Sequence, residues 1–330
     1  MDHQQPSRII VTSRASWADA TDRGLRRKIQ SGELSRLRRG VMHPSLAPLK
    51  SLPWEKRPEE ARQRYLDRVI AVGETRRRDV VFSHMSALAI LGLPVLELWP
   101  TTVDILEPPG SARRTKRGVI VHRAEFDAAD IIEWEGFYVT NVARTIADLA
   151  RAGDVMSTVV ALDHALGPRA TPEQSVTKDA VRAVIDAQGP WGQKRAMALV
   201  EFADPRAGSP GESGSRVRFA ELGYEAPELQ VRHPLPGGGY YETDFKWRKS
   251  RRGNPLIGEF DGVGKYLKEE YAGRLPPGEV VVKEKRREDV LRALDGSDFM
   301  RWGMPEVLTP MRLKRLADQH GVPRAPRRRK

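Results

Sequence analysis

Tyr241-Glu242-Thr243-Asp244-Phe245-Lys246-Trp247 alternates polar and apolar side chains, and Leu256-Ile257-Gly258-Glu259-Phe260-Asp261 follows after a basic turn. Alternate residues of a strand face the same way. Asp244 therefore shares a face with Glu242 and Lys246, opposite Phe245 and Trp247. Glu259 and Asp261 share a face, with Phe260 on the other. If the two strands pair antiparallel, Asp244 and Glu259 converge at one end. Like charges brought together on a half-buried sheet repel. A divalent cation offsets that cost, and carboxylate oxygens are the ligands magnesium prefers.

Outward from this pair, the last domain reads as a helix (212–222), a strand (229–231), the two strands above, a strand (280–282), a helix (284–294), a strand (299–302) and a closing helix (310–320). Gly237-Gly238-Gly239 reads as a hairpin turn. Residues 204–211, Asp-Pro-Arg-Ala-Gly-Ser-Pro-Gly, read as the linker before this domain. The end of the chain, 321–330, reads as a disordered basic tail.

Residues 59–200 have a mixed α and β pattern. Helices are expected over 59–73, 80–92, 143–152 and 155–166, with another starting at Thr171-Pro172-Glu173. Strands are expected over 102–106, 118–123 and 137–140. A Pro-rich linker (Pro44, Pro48, Pro53, Pro58) separates this region from residues 1–50, which carry ten Lys/Arg against four Asp/Glu. That is half the charge excess of the chain, whose 56 Lys/Arg and 44 Asp/Glu leave a formal charge of +12 over 330 residues. A basic balance of this kind favours a polyanionic partner such as nucleic acid. Within residues 1–50, a short helix carrying Arg23, Arg26, Arg27 and Lys28 runs to Gly32. A ribbon with Arg36, Arg38 and Arg39 turns at Gly40. Basic helix followed by basic ribbon is the layout of a winged helix, which reads DNA with the helix and lies along phosphates with the ribbon.

The composition excludes several chemistries. There is no cysteine, so disulfides, Cys-ligated zinc, iron–sulfur clusters and thiol catalysis are ruled out. The first residues lack the apolar core of a secretory signal. No run approaches the ~20 apolar residues of a spanning helix. A cytoplasmic protein without membrane partner is expected. Gly258…Gly264-Lys265 fails as a phosphate loop on spacing and on its carboxylates. His-Glu-x-x-His and Gly-x-Ser-x-Gly are missing from the sequence, so peptidase and esterase readings have no support. His84 and His122 are expected to be structural.

Two resemblances build on these residues. The segment 32–41, Gly-Glu-Leu-Ser-Arg-Leu-Arg-Arg-Gly-Val, is similar to the end of the winged helix of AbiEi-like antitoxins. Ser83-His84-Met85-Ser86-Ala87-Leu88 with Gly92-Leu93-Pro94, then 118–123, then 139–149 resemble that family's second domain. Together these cover roughly residues 10–170. The family implies a repressor of a toxin–antitoxin operon whose partner toxin resembles a nucleotidyltransferase. The second resemblance covers roughly residues 209–303. Asp244, Glu259 and a preceding helix glutamate, Glu212, resemble the PD-(D/E)xK nuclease core. Glu259-Phe260-Asp261-Gly262 and Glu284-Lys285-Arg286-Arg287-Glu288-Asp289 are similar to motifs of Vsr-like nuclease domains appended to AbiEi-like modules.

The sequence departs from the nuclease motif at its lysine, where Asp261 stands. Lys265 is the preferred substitute because it follows the acidic strand directly; Lys283 and Lys285 are the alternatives. If none reaches the site, the domain binds DNA without cutting it. The expected architecture is thus α+β and multidomain: a winged helix (1–50), a mixed α/β middle domain (59–200) and a PD-(D/E)xK-like α/β core (209–320). The expected activity is phosphodiester hydrolysis with Mg2+ or Mn2+. Asp244 and Glu259 bind the metal, Glu212 and Asp261 hold metal-bound waters or a second ion, and Lys265 orients the nucleophile. Arg286 and Arg287 grip DNA phosphates. The alternative is a non-enzymatic antitoxin or repressor with a degenerate nuclease fold.

Overall fold

The computed structural model describes residues 8–11, 22–53, 56–76, 80–96, 98–115, 118–262 and 277–326, without the side chains of 22, 23, 25 and 277–285. The described residues form a mixed α/β chain with three sheets. None of the described helices is long and apolar enough to cross a membrane. The chain divides into two compact units, Met1–Asp154 with Thr171–Glu201, and Val155–Ala170 with Phe202–Lys330.

The first unit begins with β1 (Ile10–Val11), helix α1 (Asp22–Gln30) and a hairpin of β2 (Leu34–Arg38) and β3 (Val41–Pro44), in sheet order β1-β3-β2. Among the described residues Leu34, Val41 and Met42 are buried there, and Gly40 makes the turn with φ 79°, a region open to glycine at no steric cost. Helix α2 (Arg57–Thr75) follows, then β4 (Val81–Phe82), α3 (His84–Leu91), β5 (Val103–Glu107), β6 (Val119–Arg123), β7 (Ile131–Trp134), β8 (Phe137–Thr140) and α4 (Val142–Ala152). The strands form one sheet, ordered β6-β5-β4-β8-β7. Tyr65, Val69, Phe82, Ile105, Phe137 and Val139 belong to the buried core between this sheet and its helices. Helices α6 (Lys178–Ala187) and α7 (Gln193–Phe202) complete the unit.

Two expectations change here. Residues 80–92 are not one helix: Val81 and Phe82 pair with β5 and β8 before Ser83 starts α3. β-branched and aromatic side chains suit a buried strand, and helical pattern alone cannot see the partner strands. Thr171-Pro172 starts no helix either. Gln174 instead turns its side-chain amide to Leu91 O and Gly92 O, both at 3.0 Å, satisfying carbonyls at the end of α3. The helix begins after Thr177, whose hydroxyl caps Ala180 N at 3.1 Å.

The second unit contains α5 (Val155–Leu166) and α8 (Pro210–Glu221), then β9 (Glu228–Pro234), β10 (Tyr240–Trp247), β11 (Leu256–Phe260), α9 (Pro277–Asp295), β12 (Asp298–Trp302), α10 (Met304–Leu308) and α11 (Pro310–His320). The sheet order is β12-β11-β10-β9. β9, β10 and β11 form an antiparallel meander, and β12 lies parallel to β11. The expected strand at 280–282 is helical, inside α9. The propensity cost of three valines in a helix is under about 0.7 kcal/mol each, and cooperative propagation outweighs it. The linker expected at 204–211 is bonded into the unit: Asp204 N donates to Asp163 Oδ1 at 2.7 Å and Gly208 N to Glu212 Oε2 at 2.6 Å. Residues 322–325 of the expected tail are likewise bonded or packed into the unit. Glu225 N donates to Pro323 O at 2.9 Å, Ala325 N to Gly223 O at 3.1 Å, and Val322 is fully buried.

The period-two reading of β10 and β11 holds in three dimensions. Phe245, Trp247 and Trp302 pack with Phe219 of α8, their ring centroids 5.1–6.5 Å apart. Trp302 Nε1 donates to Ser215 Oγ at 2.8 Å and Trp247 Nε1 to Glu225 O at 2.9 Å, so neither indole is buried unpaired. Gly258 lies beneath these rings. A Cβ there would stand 2.8 Å from Trp302 and 3.0 Å from Trp247. Gly258→Ala is expected to cost about 1–3 kcal/mol by overpacking, read as a lower midpoint in chemical denaturation followed by tryptophan fluorescence. An unchanged midpoint would show that the aromatic cluster has slack.

Candidate functional site

The acidic residues lie where the β10–β11 ladder ends. Its last registered pair on that side is Phe245 opposite Gly258. One step further along the same register places Asp244 opposite Glu259. There the backbone ladder gives way to a side chain: Asp244 Oδ2 accepts the Phe260 N–H at 2.9 Å. Asp244 and Glu259 are 9% and 5% exposed, so both carboxylates are largely buried where the ladder ends. Glu259 Oε1 accepts from Arg287 Nη2 of α9 at 3.1 Å. Arg287 also donates to Glu242 O and lies 5.9 Å from the Tyr241 ring centroid. Asp261 continues the parallel pairing, its N–H donating to Trp302 O at 2.8 Å.

Glu212 stands at the start of α8. Ser209 caps this helix, with Glu212 N donating to Ser209 Oγ at 3.2 Å and Ser209 Oγ donating to Glu212 Oε1 at 2.9 Å. The other carboxylate oxygen accepts from Gly208 N at 2.6 Å and from Gln230 Nε2 at 2.8 Å. An acidic side chain in the first turn also complements the helix dipole. These bonds tie Glu212 to its helix start and to β9. Gln230 has φ 49°, a left-handed conformation that non-glycine residues seldom take. It interrupts the β9–β10 pairing opposite Asp244, between Val231–Thr243 and Leu229–Phe245. Gln230 and Ser209 were not among the expected site residues. Ser209 carried a signal, Ser-x-x-Glu before a helix; Gln230 carried none.

The remaining expected residues divide. Lys265 lies outside the described residues. Lys283 and Lys285 lie on α9, near its start. Arg286 is exposed. In the first unit Arg26, Arg27, Arg36 and Arg39 are exposed, and Lys28 and Arg38 are partly buried. Arg23 lies within α1.

The motifs quoted from the middle region also converge. His122 Nε2 is 2.8 Å from Asp104 Oδ1. His84 stacks on His122 with centroids 3.7 Å apart, and its Nδ1 is 3.0 Å from Ser83 Oγ. Arg144 is 1% exposed. It bonds Asp148 at 3.0 and 3.1 Å, Asp130 at 2.7 Å and Glu125 O at 3.0 Å. Burial pushes the Asp148 carboxyl up, against the pull of Arg144 and Gln188. Burial, followed by the charge of His122, pulls His84 from 6.5 down to about 3. Between those values the unfolded chain takes a proton that the folded chain refuses. Stability is therefore expected to fall as pH drops below 6.5, by on the order of 1 kcal/mol per pH unit. Thermal unfolding at pH 7 and pH 5 checks this, with a smaller pH effect expected in His84→Gln.

No protein-family model matches the chain. An uncharacterized protein of Mycobacterium tuberculosis, MT2308 in strain CDC 1551 / Oshkosh and Rv2248 in strain ATCC 25618 / H37Rv, is 29% identical to it over 155 residues. The match covers 47% of this chain and 54% of the relative. The chain thus spans about half the length of the curated relatives it matches. The crystal structure of the Rv2827c protein from Mycobacterium tuberculosis aligns at 16% identity with a TM-score of 0.32, over 65% of this chain and 77% of that one.

Proposed function

We propose that this protein binds DNA and that its second unit hydrolyses phosphodiester bonds with a divalent metal, Mg2+ or Mn2+. The observation that carries this reading is the pair Asp244 and Glu259, opposed on adjacent antiparallel strands where the ladder ends. A helix bearing Glu212, a hairpin bearing the two acids, and a following helix bearing Glu284–Asp289 come in the order that the nuclease resemblance implies. The exposed arginines of α1 and the β2–β3 hairpin support DNA as the partner.

The donor set fits a hard cation. Among the described residues no three His, Asp or Glu side chains are grouped to hold a metal, but magnesium commonly takes one or two carboxylates and fills its shell with water. Asp244 and Glu259 would hold it; when bound, it polarises a phosphate and lowers the pKa of a water. Phe260 N–H orients the Asp244 carboxylate, and Arg287 offsets the charge of Glu259. Lys265 is assigned to orient the attacking water.

A second reading, a non-enzymatic antitoxin or repressor with a nucleotidyltransferase-like toxin as partner, draws support from Asp261 standing in the motif's lysine position and from the hold of Arg287 on Glu259. Incubation with supercoiled and linear DNA, with and without Mg2+ or Mn2+, separates the two. Metal-dependent nicking supports the enzyme. Binding without cutting under either metal moves the assignment to the repressor.

A further inference from the structure

The end of the second unit holds a concentration of positive charge that the proposed hydrolysis does not use. Residues 310–330 carry eight Lys/Arg and one acid, Asp318. Three cations share that acid: Lys314 Nζ at 2.8 Å, Arg324 Nη2 at 2.7 Å and Arg251 Nη2 at 3.1 Å. Tyr224 OH donates to it at 2.9 Å. The Lys314 bond, followed by those of Tyr224 and Arg324, holds the Asp318 carboxyl below the usual carboxylate range, so it stays ionised as their common anchor. One carboxylate neutralises one of three cations, which leaves the group net positive.

The excess lies on α11 and on the β10–β11 turn that contacts its end. Met311, Lys314, Arg315, Asp318 and Gln319 line a shallow depression. Their spacing is that of one face of α11, about 12 Å long at 1.5 Å per residue. The β10–β11 turn docks at the C-terminal end of this helix: Arg251 N donates to Gly321 O at 2.7 Å, and Arg252 reaches Gln319 O. Lys249, Arg312 and Arg315 are exposed and form no ion pair with a described residue. The hairpin end that holds this turn is the one opposite Asp244 and Glu259.

We infer that this face of α11, together with the β10–β11 turn, is a phosphate-binding surface for duplex DNA, separate from the carboxylate pair; this rests on the reading of the unit as one that acts on DNA. The preponderance of arginine suits phosphate, whose oxygens match the guanidinium fork. Arg251, Lys314 and Arg324 gather on Asp318 while Lys249, Arg312 and Arg315 stand exposed without pairing to it, more cations than a single phosphate engages, which suits a repeating backbone. Met311 is the one large apolar side chain in the depression, too little for insertion into a lipid interface, which takes an apolar helix face.

The test measures binding of the full chain to a random-sequence duplex in EDTA by fluorescence anisotropy over a salt series. It compares the wild type with Lys249→Ala/Arg312→Ala/Arg315→Ala. None of these three side chains pairs with a described residue, so an unchanged thermal midpoint is expected. The slope of log affinity against log salt should become shallower by about 2–3, and affinity should fall roughly ten- to a hundredfold at low salt, whatever the sequence. An unchanged slope overturns the proposal. So does a wild type that ignores the duplex or prefers mixed phosphatidylserine–phosphatidylcholine vesicles. Cleavage is scored separately with metal. Cutting with an unchanged slope removes this surface and keeps the enzyme, and a changed slope without cutting does the reverse.

Discussion

Asp244→Ala is expected to abolish metal-dependent DNA cleavage, by at least about a hundredfold, while leaving DNA binding in EDTA nearly unchanged. Even outer-shell partners of a metal ligand are worth 10–100-fold, and Asp244 is assigned to the metal itself. The variant has a second consequence. Asp244 Oδ2 accepts the buried Phe260 N–H, and an unpaired buried donor costs about 1–3 kcal/mol. Lost activity in the alanine variant therefore mixes a lost ligand with a loosened strand. Asp244→Asn separates them, because the amide oxygen still accepts from Phe260 while the negative charge is gone. Cleavage lost in both variants, with stability kept in the asparagine variant, places the charge in the chemistry. Cleavage retained in Asp244→Asn would refute the metal role of this residue. A tenfold reduction in both would mean that Asp244 only positions β11.

Arg144→Ala is expected to destabilise the first unit by about 3–5 kcal/mol, the usual cost of removing one member of a buried ion pair. Arg144 is 1% exposed and joins Asp130, Asp148 and the Glu125 carbonyl. Its removal leaves Asp148, itself 6% exposed, bonded to the Gln188 amide and without an ion pair among the described residues. Lysine is no substitute, because one ammonium cannot span acceptors reached by a planar fork. The double variant Arg144→Met/Asp148→Asn removes the stranded charge along with the cation and should recover a substantial part of the loss. Calorimetry on the three proteins checks this. An Arg144→Ala loss below about 1 kcal/mol, the range of exposed pairs, would contradict the buried-pair account.

The candidate acids were legible in the sequence because strand periodicity fixes which side chains share a face. Asp244, Glu259 and the opposing Phe245 and Trp247 needed only the alternation of residues 241–247 and 256–261. Their pairing partner was an assumption, and the register that opposes them came from the fold. Strand β7 went unread. Its turn to β8 uses Glu135 at φ 48° before Gly136, whereas Asn-Gly or Asp-Gly is the turn signal that sequence reading relies on. The valines at 280–282 misled in the other direction, since strand propensity is local and α9 extends cooperatively past it.

Composition and local pattern by themselves determined the charge excess, the lack of thiol chemistry, the period of the main strands and most helix positions. These depend on residues near one another along the chain. Tertiary structure alone decided that Arg287 reaches Glu259, twenty-eight positions away, and that Glu212 bonds Gln230. It also decided that Arg251, Lys314 and Arg324 share Asp318, and that Arg144 is buried among acids. Each of these contacts depends on how separate elements pack, and no local periodicity encodes that.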